Sequence, residues 1–394
     1  MEKKMIHTPE GVRDIYGEEL LKKNHTKDKL HKTILTYGYR EIQTPSFEFF
    51  DIFSKEVGTT PSKELYKFFD KEGNTLVLRP DFTPSIARCA AKYFIDDSMP
   101  IRLCYEGNAF TNASELQGKL KETTQMGVEL IGDASIDADA ELLCMVINSL
   151  KNCGFEQFQI SIGEMEYFKG ICEEACLDDE TIDELREYIS VKNFFGAEEL
   201  LANKLVPKKF QEVLLNVNDI CSLTELMKIK ELVGNKRSID AIERLSKIYE
   251  LVEQYGLEKY ISFDLGMLSK FHYYTGVIFK AYTYGVGDAI VKGGRYDALL
   301  HQFGKEAPAI GCVFLLDDMM SALQAQKLTQ HMESEEMWIV YDDAHRKEAI
   351  QTLKQCRENG ASAVGVLYDH QKSEEEYINY AKKNRIAKVT FLLG

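Results

Sequence analysis

Leu78-Arg79-Pro80-Asp81-Phe82-Thr83 stands between a strand and a helix and sets an arginine, an aspartate and a threonine among apolar neighbours. Upstream, residues 66–69 and 75–78 flank Lys71-Glu72-Gly73-Asn74 and read as a hairpin about a glycine turn. Downstream, residues 82–94 read as a helix. Two later stretches likewise place polar groups among apolar ones: Gln125-Met126-Gly127-Val128-Glu129-Leu130 and Phe271-His272-Tyr273-Tyr274-Thr275. Side chains alternate along a strand, so Gln125 and Glu129, four apart, share one face.

Working outward, residues 18–36 predict a helix with Leu20, Leu21, Leu30, Ile34 and Leu35 as its apolar set, ending near Gly38. Residues 39–44 read as a strand stopped by Pro45. Residues 101–110 and 122–131 read as two strands joined by a polar loop that holds Gly118. A helix is expected over 137–150 and a half-buried strand over 158–162. From about 164 to 255 the chain turns acidic, leucine-rich and helical without strand signals, which reads as a helical insertion. Strand character returns at 260–265 and 274–283. A turn over 285–288 follows, then the Gly293-Gly294-Arg295-Tyr296-Asp297 segment, a strand over 309–314 and a helix over 316–327. Residues 328–336 read as a linker. Beyond them, 337–341, 363–368 and 388–393 are apolar strands separated by two polar helices, a small βαβαβ unit. The fold class expected is α+β: an antiparallel sheet with helices on it over 1–327, and a small C-terminal α/β domain over 337–394.

The chain has 394 residues, enough for two or three domains, and its 44% hydrophobic and 11% aromatic content suits a soluble globular protein. No apolar run approaches the ~20 residues needed to span a bilayer, and residues 1–9 lack an apolar signal core. A cytoplasmic location and no membrane partner are therefore expected. Nine cysteines are scattered along the chain, and Cys172 and Cys176 have helical spacing without a second pair or a nearby histidine. They read as reduced thiols used as small apolar residues, and no metal is expected. Net charge is −15, so the electrostatics lend no support to nucleic-acid binding. Lys22, Lys23, Lys27, Lys29 and Lys32 are interspersed along one helix and read as a solvated face.

In order along the chain, these pieces resemble the core of a class II aminoacyl-tRNA synthetase of the histidyl branch. Tyr37-Gly38-Tyr39-Arg40-Glu41-Ile42 through Pro45 is similar to the first motif, which in that family builds a dimer interface. Leu78 to Thr83 with Tyr105-Glu106-Gly107-Asn108-Ala109-Phe110 resembles the second. Gly293 to Asp297 with Pro308-Ala309-Ile310-Gly311 resembles the third region. The likeness spans some four-fifths of the chain. It implies a histidine pocket in which Asp81, Thr83 and Gln125 receive the ammonium, Glu129 and Tyr273 address the imidazole, and Tyr274 helps to wall the site.

Against that family, three positions depart. Adenylation puts negative charge onto phosphates, and synthetases hold it with arginine forks. Here the arginine positions are Thr111, Ser269 and Asp318, the last a charge reversal. Lys270 cannot reproduce a guanidinium fork. A pocket without activation chemistry resembles the synthetase-like regulatory subunits of ATP phosphoribosyltransferase. That resemblance implies a chain with no catalysis and no cofactor of its own, a short-form catalytic subunit as partner, histidine as feedback effector, and a self dimer within a hetero-oligomer. The C-terminal unit has no evident basic or aromatic face, and no tRNA partner is expected. The alternatives are a divergent histidyl-tRNA synthetase and a free-standing histidine- or tRNA-binding paralogue.

Overall fold

The computed structural model describes residues 6–53, 60–112, 120–215, 217, 220, 222–268, 274–328 and 336–394. The chain divides into two compact units, Met1–Thr329 and Gln330–Gly394.

The first unit opens with α1 (Gly17–Thr36), which buries Leu30 and Ile34 and ends at Gly38 in the left-handed region, φ +78°. The strand expected over 39–44 is only β1 (Arg40–Glu41). Its continuation leaves the ladder because Arg79 Nη1 takes the carbonyls of Thr44 and Pro45, at 2.9 and 3.2 Å. A small sheet follows, order β2-β4-β3, from β2 (Phe47–Phe49), β3 (Lys67–Phe69) and β4 (Thr75–Leu78). The expected hairpin is there, its turn tied by Asp70, which accepts from the backbone of Glu72 and Asn74. Next comes α2 (Thr83–Tyr93), with Pro84 in its first turn, where a missing N–H costs nothing.

The main sheet has eight strands in the order β1-β5-β6-β11-β10-β9-β7-β8. They are β5 (Ile101–Phe110), β6 (Glu122–Ile131), β7 (Phe158–Glu164), β8 (Ile261–Phe263), β9 (Val277–Thr283), β10 (Val291–Arg295) and β11 (Ala309–Leu315), with β1 at one edge. All inner neighbours are antiparallel; the outer pairs, β1 with β5 and β7 with β8, are parallel. Antiparallel pairing lets one face bury core while the other carries polar groups. On one face Met126, Val128, Leu130, Ile310 and Phe314 join Leu142 and Ile147 of α3 (Ile136–Cys153) in the larger core. On the other, Leu103, Tyr105 and Ile131 pack with Phe82 and Ile86 of α2 and with Tyr296 and Leu299.

Between β7 and β8 the chain is helical: α4 (Met165–Glu174), α5 (Asp179–Ser190), α6 (Phe194–Asn203), α7 (Lys208–Leu215), α8 (Leu223–Leu232) and α9 (Lys236–Gln254). Ile242, Leu245, Ile248 and Val252 give α9 an apolar stripe at three- and four-residue steps, all of it in the larger core. The unit closes with α10 (Leu316–Ala325).

The second unit is β12 (Met337–Tyr341), α11 (Arg346–Glu358), β13 (Ala363–Leu367), α12 (Glu374–Lys383) and β14 (Lys388–Leu392), a parallel sheet of order β13-β12-β14. Ile339, Ala349, Leu353 and Ala363 form its core. The unit carries aromatic contacts not legible in the sequence, among them a stack at its surface. Trp338 of β12 and Tyr380 of α12 stack at 5.2 Å, and Tyr380 is 54% exposed. The partners lie too far apart in the chain for any local pattern to pair them. Three glutamates, Glu374, Glu375 and Glu376, open the same helix.

Candidate functional site: a buried carboxyl on the sheet

Alternation along β6 puts Glu129 on the face covered by α2, between Gly127 and Ile131. It is 1% exposed, a costly place for a carboxyl without partners. Two hydroxyls supply them. Thr83 Oγ1, at the first position of α2, donates to Glu129 Oε1 at 2.7 Å, and the Tyr296 hydroxyl donates to Oε2. Opposite Glu129 on β11 is Gly311. A Cβ there would lie 1.7 Å from Glu129 Oε2, so glycine makes the room the carboxyl occupies. Gly294 on β10 does the same for Tyr274, whose ring would lie 2.7 Å from an added Cβ.

Burial is the main cause that pushes the Glu129 carboxyl up to about 8; the Tyr296 and Thr83 hydroxyls oppose it, and Asp81 nearby reinforces it. Burial thus favours the protonated form of this carboxyl, and the two hydroxyls favour the ionised one. A cation or N–H donor set beside such a carboxyl favours its ionised form, and a neighbouring anion disfavours it.

Of the residues named from the sequence, Thr83 and Glu129 touch directly, Asp81 is within electrostatic range, and Tyr274 stands over Gly294. Gln125 is half-buried on the same face, opposite Gly107 on β5 and Leu315 on β11. Tyr273 and Ser269 lie outside the described residues. Tyr296 is the residue the sequence reading left without a role. Its signal was present: it is two positions beyond Gly294, on the same side of β10 and its continuation.

Of the three positions where the resemblance implies a synthetase arginine, 111 and 318 lie among the described residues. Thr111 N–H donates to Lys121 O at 2.9 Å. Asp318 sits with Asp317 in the first turn of α10, where acidic side chains favour the helix dipole. Asp317 accepts from Lys23 Nζ and from Thr124 N, both at 2.7 Å, which staples α1, β6 and α10 together. Among the described residues no group of three or more His, Cys, Asp or Glu side chains is arranged to hold a metal, and no helix is long and apolar enough to cross a membrane.

Sheet and motif order together define a protein of the class II synthetase type, and the family model described as histidyl-tRNA synthetase matches residues 11–319. A regulatory subunit of ATP phosphoribosyltransferase from Acetivibrio thermocellus is 40% identical over 356 residues, covering 90% of this chain and 85% of that one. One from Clostridium kluyveri is 39% identical over 389 residues, covering 97% and 98%. A crystal structure from Bacillus halodurans, described as an ATP phosphoribosyltransferase regulatory subunit/histidyl-tRNA synthetase, superposes with TM-score 0.89 at 30% identity over the whole of both chains. A Nostoc histidyl-tRNA synthetase shares the fold, with TM-score 0.82 at 18% identity, covering 100% of this chain and 92% of that one. The chain belongs to the family of ATP phosphoribosyltransferase regulatory subunits.

Proposed function

We propose that this chain is the non-catalytic partner of a short-form ATP phosphoribosyltransferase catalytic subunit, which it activates in the first step of histidine biosynthesis. Free histidine is its effector, bound on the face of Glu129. The observation that carries this reading is the Glu129 carboxyl, buried beside Thr83 and Tyr296 in a chain with no arginine at 111, 269 or 318. The first feature suits an amino acid with a basic side chain; the second removes the forks that adenylation requires.

In this reading Glu129 faces the imidazole, Tyr273 and Tyr274 flank it, and Asp81, Thr83 and Gln125 meet the ammonium. Phosphoribosyl transfer belongs to the partner. The motif that ends at Pro45 brings two copies of this chain together, and the resulting dimer seats the catalytic subunits in a cytoplasmic hetero-oligomer. Feedback requires histidine to prefer the less active assembly, typically by about 1–3 kcal/mol.

The test is phosphoribosyl-ATP formation by the catalytic subunit, with and without this chain, across a histidine titration. Stimulation that histidine suppresses supports the proposal. A cognate pair showing neither effect, with histidine-dependent ATP–pyrophosphate exchange by this chain alone, replaces it with a divergent synthetase.

A further inference from the structure

Behind the pocket, on the opposite face of the sheet, lies a buried ion cluster that the pocket does not use. Asp139 of α3 is fully buried and receives two arginines. Arg295, the last residue of β10 and 2% exposed, donates Nε and Nη2 to Asp139 Oδ1 at 3.0 and 2.5 Å. Arg244 of α9 donates Nε and Nη2 to Asp139 Oδ2 at 2.8 and 2.5 Å, and reaches the carbonyl of Ala134 at 3.1 Å. Arg295 and Tyr296 are consecutive, so they point to opposite sides of the sheet. One backbone joint therefore carries both the hydroxyl that holds Glu129 and the guanidinium that holds Asp139. The joint is fixed by Tyr296 N–H donating to Ala309 O at 2.8 Å and by Arg295 O accepting from Thr275 N at 2.8 Å.

A second buried carboxyl lies within electrostatic range of Arg244. Glu164, at the end of β7, is 2% exposed, and among the described residues its Oε2 has no hydrogen-bond partner. Arg244 is close enough to act on it electrostatically. Arg244 is thus hydrogen-bonded to one buried carboxyl and only electrostatically coupled to another, which makes Asp139 its anchor.

We infer that the Arg295–Tyr296 joint couples occupancy of the Glu129 pocket to the seating of α9, with Asp139 as the positioning residue and the α4–α9 segment as the part of the chain that responds. The inference rests on histidine as the pocket's ligand. A ligand that pulls on Glu129 changes the load on Tyr296, and the shared backbone passes that change to Arg295, Asp139 and Arg244. Coupling of this kind is reciprocal: whatever factor histidine exerts on α9, the anchoring of α9 exerts on histidine.

The experiment is amide hydrogen exchange on the full chain with and without saturating histidine, alongside calorimetry of histidine binding. Histidine should slow exchange across α9 by at least about fivefold, the lower end of usual couplings, while α12 of the second unit serves as the reference. In Arg244→Gln the α9 protection should disappear and histidine affinity should fall by a similar factor. Arg244→Lys, which keeps the charge but not the fork, should restore part of both. Histidine binding that leaves wild-type α9 exchange unchanged overturns the coupling and leaves the pocket reading standing. Absence of histidine binding overturns the pocket reading and the coupling with it.

Discussion

Thr83 Oγ1 lies 2.7 Å from Glu129 Oε1, so the first turn of α2 and the middle of β6 meet at one oxygen. The contact is polar and part-buried, joins residues 46 apart in sequence, and lies where histidine is proposed to bind. Replacing Glu129 with alanine removes the acceptor for the ligand's basic group and leaves two hydroxyls without a partner. A hydrogen bond to a charged group is worth about 1.5–3 kcal/mol. Histidine affinity should fall by roughly 10- to 100-fold on calorimetry, and an unchanged affinity would remove Glu129 from the site.

Stability should depend on pH through the same carboxyl. Unfolded, Glu129 loses its proton near the ordinary value of 4.5; folded, it keeps it up to about 8. Between those values the unfolded chain binds fewer protons, so stability falls as pH rises, and the fall stops above about 8. Glu164, also pushed up to about 8 by burial, adds to the same slope. Each group contributes about 1.4 kcal/mol per pH unit within that window. Denaturant melts of wild type and Glu129→Gln at pH 6 and pH 8 should show the larger loss in wild type. Equal losses would mean that Glu129 is ionised in the folded chain across that range.

Tyr296→Phe tests the other half of the cradle. The ring still fills its place in the cluster with Leu299 and Phe82, but the buried Glu129 Oε2 loses its donor. Leaving a buried polar atom unpaired costs about 1–3 kcal/mol. The variant should melt lower and bind histidine at least several-fold more weakly. A variant with wild-type affinity would show that the ligand does not read the state of Glu129.

How far these residues were legible follows from distance along the chain. The two long strands over 101–110 and 122–131 were read to the residue, because ten residues of strand pattern outweigh local noise. β2 was not read: three residues long, with Phe47 and Phe49 half exposed, it has no buried alternation beyond Glu48. The end of β1 was misjudged because the competitor for its carbonyls, Arg79, sits about 35 residues away. The same limit hid the partnership of Tyr296 with Glu129, 167 residues apart. The family resemblance named Asp81, Thr83, Gln125, Glu129, Tyr273 and Tyr274 as a group, but it carried no information on which of them touch.

Gly311 supplies a test of shape. An alanine Cβ would lie 1.7 Å from Glu129 Oε2 and 2.7 Å from the carbonyl of Val128, a backbone atom that cannot rotate away. The carboxyl must swing out or the strands must part, at a cost of about 1–3 kcal/mol. Gly311→Ala should therefore lose histidine binding and melt lower. Gly73→Ala, at an exposed turn with no atom within 4 Å of the new Cβ, should leave affinity unchanged despite its strained φ of +86°.

Restoring arginine at Thr111, Ser269 and Asp318 together should not produce efficient tRNA charging. At position 318 the arginine would replace an acid in the first turn of α10, putting a cation at the positive end of the helix dipole, beside Asp317 and its partner Lys23. That placement is worth about 0.3–1 kcal/mol in the wrong direction, before any phosphate is bound. The second unit adds a further obstacle. Its stack of half-buried Trp338 on exposed Tyr380 shares α12 with the glutamates that open that helix, whereas anion recognition needs lysine and arginine there. Histidine-dependent ATP–pyrophosphate exchange and tRNA aminoacylation, measured separately on the triple variant, separate the two barriers. Exchange without charging would locate the remaining defect in the second unit. Robust charging would show that this unit reads tRNA after all.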